Sequence, residues 1–127
     1  MLGSMPRPAI RKISETIIDF GTPLIEALAP EASPETVRAA FEFVILVWNA
    51  HVCAMPRWGQ PRFLADLQRT LQDSTTADAA MTEAFRLLSQ RRAEHFATDA
   101  RAVGEWNVEQ RAGRWHLRCD ARAPVTA

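Results

Sequence analysis

The sequence has few of the residues on which common catalytic and binding motifs depend. Its five glycines lie singly, at positions 3, 21, 59, 104 and 113, so it contains neither a P-loop nor a dinucleotide-binding fingerprint. Its two cysteines, Cys53 and Cys119, are too few for the disulfide framework of a small secreted domain. Its longest apolar run, from Phe43 to Trp48, is far too short to span a bilayer. We therefore expect a cytoplasmic protein with free thiols, no membrane segment and no cofactor.

The chain also carries no net charge at neutral pH. Fifteen basic and fifteen acidic residues cancel, which leaves no bulk field to attract nucleic acid or an anionic membrane. In the C-terminal third, arginines at positions 86, 91, 92, 101, 111, 114, 118 and 122 outnumber the acids. The acids are interleaved with these arginines, which is typical of a solvated surface rather than a phosphate track. Nucleic-acid binding through the C-terminal arginines is therefore the least favoured function.

The length and composition indicate one domain. A chain of 127 residues that is 47% hydrophobic and 24% charged is long enough to bury a core without a second domain. The first residues, Met1–Met5, look like an expression scar followed by an initiator methionine, and we leave them out of the fold. A single domain is expected over residues 6–123, followed by a frayed tail at 124–127.

One segment, Ala39–Met55, is apolar enough to be surrounded by the rest of the chain. Its apolar residues fall on every side of a helical axis, whereas a surface helix shows a single stripe. Ser33 can cap the N-terminus, and Pro34 suits the first helical position. We predict a buried central helix from Pro34 to Met55, with Trp48 in the core.

Polar residues of this helix form the candidate site. At about 100° per residue, Arg38, Glu42, Asn49 and Cys53 fall on one narrow line, and His51 points to the opposite side. Buried polar groups are usually satisfied within the fold, so the favoured interpretation pairs Arg38 with Glu42 and bonds Asn49 to a neighbouring backbone. The alternative is a line of side chains that faces a ligand.

Helical spacing continues on both sides of the central helix. Before it, residues 10–28 predict two short helices with a bend at Gly21, the second capped by Thr22 and begun by Pro23. After it comes a loop whose Trp58 either covers the core or forms a contact surface, the packing role being favoured. A third helix is expected around residues 63–71, ending near 73–76.

A fourth helix is predicted from Ala77 to about Ala97, with a wet side formed by Arg86, Arg91, Arg92 and Glu94. After this helix the apolar residues recur at every second position, which predicts an antiparallel hairpin over about 103–122. Gly113 can supply the positive φ of its turn. The apolar face of the hairpin is formed by Trp106, Val108, Trp115, Leu117 and Cys119.

Catalytic and metal sites are disfavoured by geometry. His51 and Cys53 are two apart on a helix, and His116 and Cys119 are three apart on a strand, so the members of each pair diverge. No nucleophile elbow, glycine cluster or protease signature surrounds either cysteine. We expect no metal site and no catalytic residues.

The predicted fold is mainly α, with four to five helices packed around a central buried helix and a C-terminal antiparallel β-hairpin. The favoured function is a small, bacterial-type, non-catalytic cytoplasmic binding or assembly module with an unknown protein or small-molecule partner. A lone hairpin is marginal in water and exposes strand edges, so we expect a homodimer that uses the hairpin or the Ala77–Ala97 helix. The alternative is a small-ligand binder or enzyme. Its ligand-binding residues would be Arg38, Glu42, Asn49, His51 and Trp58.

Overall fold

The structure is a computed structural model that describes residues 11–28, 31–73 and 78–124. Within these ranges the chain forms four helices and one two-stranded antiparallel sheet, in the predicted order. The predicted fold class, mainly α with a C-terminal hairpin, is confirmed. The elements are α1 (Ile13–Ile25), α2 (Pro34–Cys53), α3 (Arg62–Gln72), α4 (Ala79–His95), β1 (Ala102–Arg111) and β2 (Arg114–Arg122).

Some predictions lie outside the described residues. These are the expression scar at 1–5, all but the first residue of the tail predicted at 124–127, and the connection at 74–77, where the third helix is predicted to end and the fourth to begin. The described part of the fourth helix begins at Ala79, where the Asp78 side chain accepts a hydrogen bond from the Ala80 amide at 2.8 Å.

The central helix is α2. Its predicted cap is confirmed, because Ser33 Oγ accepts a hydrogen bond from the Thr36 amide at 3.2 Å and Pro34 occupies the first turn. The helix ends at Cys53, two residues earlier than expected. By length and composition α2 is also long and apolar enough to cross a membrane, and half of its most apolar stretch is buried inside the fold. The buried core helix of a globular protein has the same properties.

The core forms where α1 and α2 meet Leu88 of α4 and the hairpin, and Phe96 packs against it. Trp48 is fully buried, and its ring meets those of Phe20 and Phe96 edge to face, with centroids 5.1 and 5.8 Å away. Its indole N–H donates to the Arg101 carbonyl at 2.8 Å, so the polar atom of the ring is satisfied. The prediction that Trp48 lies in the core is confirmed. The prediction that the central helix is surrounded on every side is not confirmed, since Leu46 is 37% exposed.

The prediction of two helices before α2 is wrong, since α1 runs unbroken through Gly21 and Pro23. Gly21 serves close packing, because a Cβ there would lie 2.8 Å from a methyl carbon of Val44 on α2. Because proline lacks a backbone N–H, Pro23 cannot donate the helical hydrogen bond to the carbonyl of Asp19, four residues earlier. Arg91 of α4 supplies a donor instead, at 2.6 Å from the Asp19 oxygen. A distant arginine therefore satisfies the carbonyl that the proline leaves free.

The predicted wet side of α4 is only partly correct. Arg86 is exposed and pairs with Glu83 at 2.6 Å, as expected of a surface residue. Arg91 is half-buried against α1, and Arg92 is only 4% exposed. The first half of the described helix is mostly exposed, including Met81 at 44%. The helix therefore buries little besides Leu88 and Arg92.

The hairpin is confirmed, with Ala112 and Gly113 in its turn at φ values of 51° and 77°. Two positive φ values are typical of a type I′ turn. Register changes between Val103 and Trp106, where a Cβ at Gly104 would require the ends of the Arg122 and Asp120 side chains to move. The predicted apolar face lies on the core, with one buried and four half-buried members. These are Leu117, then Trp106, Val108, Trp115 and Cys119.

Candidate functional site

The polar line of α2 lies against β1. Asn49 is half-buried and makes two hydrogen bonds to one residue of the strand, Val103. Its side-chain amide donates to the Val103 carbonyl at 3.0 Å, and its oxygen accepts from the Val103 amide at 2.7 Å. A neighbouring strand would offer a similar donor and acceptor. Asn49 thus satisfies the edge of β1 at this position, and the predicted bond from Asn49 to backbone is confirmed.

Arg38 contacts the hairpin rather than Glu42. Its Nη1 donates to Asn107 Oδ1 at 3.2 Å, and its guanidinium carbon lies 5.2 Å from the centroid of the Trp106 ring. Glu42 is exposed and forms no hydrogen bond or ion pair with any other described residue. The predicted Arg38–Glu42 pair is therefore wrong. The reason is that Arg38 finds a carbonyl acceptor and an aromatic face on β1, which together offer more contact than an exposed carboxylate.

Trp58 has the packing role that the sequence favours. Its indole N–H donates to the Ala100 carbonyl at 2.7 Å, and its ring packs on the core. The loop turns back at Gly59, where φ is 65°. Trp58 therefore holds the segment before β1 against the end of α2. Its use in ligand binding, like that of Arg38, Glu42 and Asn49, stays a prediction.

His51 lies on the other side of α2, facing α4. Its Nε2 shares a hydrogen bond of 2.9 Å with Ser89 Oγ, and its ring stacks on Phe85 at 6.1 Å between centroids. Burial, and then the positive charge of Arg92, lower the pKa of His51 below its usual value of 6.5. The imidazole is therefore neutral at neutral pH and can act as a hydrogen-bond donor or acceptor.

Arg92 is the least satisfied polar group of the described chain. Its Nη2 donates to the Asp99 carbonyl at 2.6 Å and contacts Met55 Sδ at 3.1 Å, while the buried Nη1 has no hydrogen-bond partner. Its guanidinium lies over the Trp48 ring at 4.5 Å. Burial lowers the pKa of Arg92, and the negative charge of Asp99 opposes that shift. An arginine stays protonated in proteins, so the positive charge remains inside the fold.

These side chains surround a cavity of about 210 Å³ between α2 and α4, which we call the Arg92 cavity. A second, larger and more enclosed cavity of about 360 Å³ lies on the far side of His51. The Arg92 cavity combines one positive charge, a hydroxyl, a neutral imidazole and an apolar wall. It is lined by His51, Met55, Ser89, Arg92, Ala93 and Ala97.

Sequence reasoning includes His51 among the candidates but misses Ser89 and Arg92. It places Arg92 on the wet side of α4 because a charged residue is rarely fully buried. A signal is nevertheless present: Leu88, Arg92 and Phe96 follow one another at intervals of four, so Arg92 continues the apolar stripe of its helix.

The contact between His51 and Ser89 resembles the nucleophile and base of a hydrolase. Such a pair requires a third group that orients the imidazole. Among the described residues nothing bonds His51 Nδ1, and no carboxylate is held against the ring. Activation of Ser89 as a nucleophile therefore has no structural support.

The thiols are not activated either. Burial raises the pKa of Cys53 above that of a free thiol. Burial, reinforced by the negative charge of Asp120 and opposed by Arg101, raises the pKa of Cys119 to about 11. A thiol with a raised pKa is protonated at neutral pH and reacts slowly.

Several C-terminal arginines have partners within the fold. Arg101 pairs with Asp99 at 2.7 Å, and Arg111 pairs with Glu109 at 3.0 Å. With Arg86, Arg91 and Arg92 also engaged, five of the eight arginines considered for nucleic-acid binding already donate to other groups. Fewer of them are free to bind phosphate.

An apolar groove separates the C-terminal half of α1 from the first half of α4, and we call it the α1–α4 groove. It has a volume of about 250 Å³. Leu87, on its wall, is 39% exposed. The other apolar residues that line it are Pro23, Leu24, Ala27, Ala80, Ala84 and Leu88.

In the part of the chain that the structure describes, no three His, Cys, Asp or Glu side chains gather as they would around a metal ion. Comparison of the chain with family models, with curated proteins and with solved structures found no match. A function for this chain therefore has to be inferred from its own geometry.

Proposed function

We propose that this chain is a non-catalytic cytoplasmic assembly module that works as a homodimer, with the α1–α4 groove as its contact surface. The observation that carries the proposal is the exposure of this apolar groove together with the Leu87 side chain beside it. Apolar side chains that are scattered singly on a surface are ordinary, whereas a continuous apolar groove is typical of a contact surface.

The groove is suited to a second copy of the same chain. Ala80, Ala84 and Leu87 are spaced by four and three residues, so they form one stripe along α4. Small side chains allow a partner helix to approach closely, and Leu87 can enter the groove of the partner. In a two-fold contact each copy gives one leucine and receives one. We place the crossing of the two α4 helices at Ala84, the middle of the stripe.

Two contacts favour α4 over the hairpin as the interface. Asn49 already satisfies Val103 at the edge of β1, and Arg38 lies across Trp106 further along the same strand. An edge that is covered in this way offers less to a pairing strand. The apolar face of the hairpin is also used, because it packs against the core.

Light scattering over a dilution series tests the proposal, with Leu87→Glu as the disrupting variant. A carboxylate at the contact would have to be buried without a partner, so the dimer should dissociate. Leu46→Glu is the matched control, because Leu46 is 37% exposed and Leu87 is 39% exposed. It should leave the dimer intact. A wild-type protein that is monomeric at about 100 μM, or a dimer that tolerates Leu87→Glu, would refute the proposal.

A further inference from the structure

The buried charge of Arg92 lacks an anionic partner. At 4% exposure the side chain is almost removed from water, yet no described carboxylate lies within ion-pair distance of it. The nearest acid, Asp99, offers Arg92 only its backbone carbonyl, because its carboxylate binds Arg101 at 2.7 and 3.0 Å. A buried charge is normally paired with an opposite one. The contact with the Trp48 ring compensates only part of the cost of burying the positive charge of Arg92.

The remaining hydrogen-bonding capacity of Arg92 is poorly used. Nη1 has no acceptor, and Nη2 shares its second contact with the thioether of Met55, a weak acceptor. A guanidinium presents a rigid fork of donors that matches a carboxylate. An anion in the Arg92 cavity would replace the thioether with a strong acceptor.

We propose that the Arg92 cavity binds a small organic carboxylate, with Arg92 as its anchor and Ser89 as a second donor. This inference is independent of the homodimer, because the Arg92 cavity and the α1–α4 groove are lined by different residues. In the tautomer that carries its hydrogen on Nε2, the neutral imidazole of His51 donates to Ser89 Oγ, which leaves the Ser89 hydroxyl hydrogen free for the ligand.

The lining selects a monoanion with an apolar body. One guanidinium balances one negative charge, whereas phosphate would bring additional charge with no second cation on the lining. Met55, Ala93 and Ala97 provide an apolar wall. The volume of about 210 Å³ corresponds to about seven water molecules at about 30 Å³ each, enough for an aromatic or short aliphatic acid.

Entry of the ligand requires a small rearrangement. Nη1 of Arg92 is sealed from solvent by its neighbours. Met55 lies in the turn after α2, and an unbranched methionine side chain changes rotamer easily. Displacement of its sulfur from Nη2 opens the donor fork to the cavity.

Benzoate is the test probe, titrated at constant ionic strength while the amide of Ser89 and the Nε–H of Arg92 are followed by NMR. A site with a single ion pair predicts saturation with a dissociation constant of about 1 mM. Benzamide, which has the same shape without the charge, should cause no saturable shift. Inorganic phosphate should bind at least about tenfold more weakly than benzoate, a difference of about 1.4 kcal/mol.

Two conservative variants test the site without removing the buried charge. Ser89→Ala deletes one donor to an anion and should weaken benzoate about tenfold or more. Ala93→Leu fills the cavity from an exposed position and should abolish binding. Arg86→Met removes an exposed arginine of the same helix and should change nothing.

Three results would overturn the proposal. The first is the absence of any shift at Arg92 with benzoate at about 50 mM, far above the expected dissociation constant. The second is equal binding of benzamide or phosphate. The third is full-strength binding by Ser89→Ala and Ala93→Leu, which would place the ligand elsewhere.

Discussion

Asn49→Ala removes the two hydrogen bonds that Asn49 makes from the central helix to β1. The bonds measure 2.7 and 3.0 Å, and the residue that they satisfy, Val103, is only 6% exposed. The substitution therefore leaves a buried amide and a buried carbonyl without partners. Each such group costs about 1–3 kcal/mol, and water that enters the space of the deleted side chain recovers part of the loss. We expect a decrease in the free energy of unfolding of about 2–4 kcal/mol.

Urea denaturation measures this loss, and hydrogen exchange at the Val103 amide shows where it arises. Asn107→Ala is the matched control, because Asn107 is an exposed asparagine on the same strand and should cost less than about 1 kcal/mol. Exchange at Val103 should accelerate in Asn49→Ala and stay slow in the control. A loss below about 0.5 kcal/mol with Val103 still protected would refute the role given to Asn49.

The remaining predictions concern the core, α1 and pH. Trp48→Ala should cost about 3–5 kcal/mol in denaturant melts, and a loss below about 1 kcal/mol would contradict its central position. Arg91→Ala should cost about 1–3 kcal/mol, because it leaves without a donor the Asp19 carbonyl that Pro23 cannot satisfy. Arg86→Ala, at an exposed position, should have no measurable effect, and equal effects of the two variants would contradict the role given to Arg91. The pKa of His51 is lowered from 6.5 in the folded state, so the unfolded chain binds more protons and stability should fall as pH decreases below about 6.5. His51→Gln should reduce this pH dependence, and an unchanged slope in urea melts at pH 7.5 and 5.5 would count against it.

Most of the fold could be predicted because its signals are local. The cap at Ser33 and Pro34, the change from helical to alternating period, and the turn at Gly113 each depend on a few neighbouring residues. Even the bond from Asn49 to backbone followed from the cost of burying an amide. Its partner could not be predicted, because Val103 lies 54 residues away.

The errors have a common cause, which is that a long-range contact overrode a local rule. Gly21 and Pro23 are helix breakers by local rules, but Val44 occupies the space beside the glycine and Arg91 replaces the donor that the proline lacks. Arg38 was expected to pair one turn away and instead reaches across to the hairpin. The Arg92 cavity needs α2 and α4 side by side, which periodicity cannot show.

The central claim, a homodimer that crosses at α4, is tested most directly by disulfide trapping of Ala84→Cys. Burial raises the pKa of both native thiols, so the new cysteine, which lines the groove, should react first. If Ala84 lies at the two-fold axis, mild oxidation at about 100 μM should give a covalent dimer, while Ala39→Cys on the exposed side of α2 should stay monomeric. Failure of Ala84→Cys to cross-link, or equal cross-linking of both variants, would contradict the proposed interface.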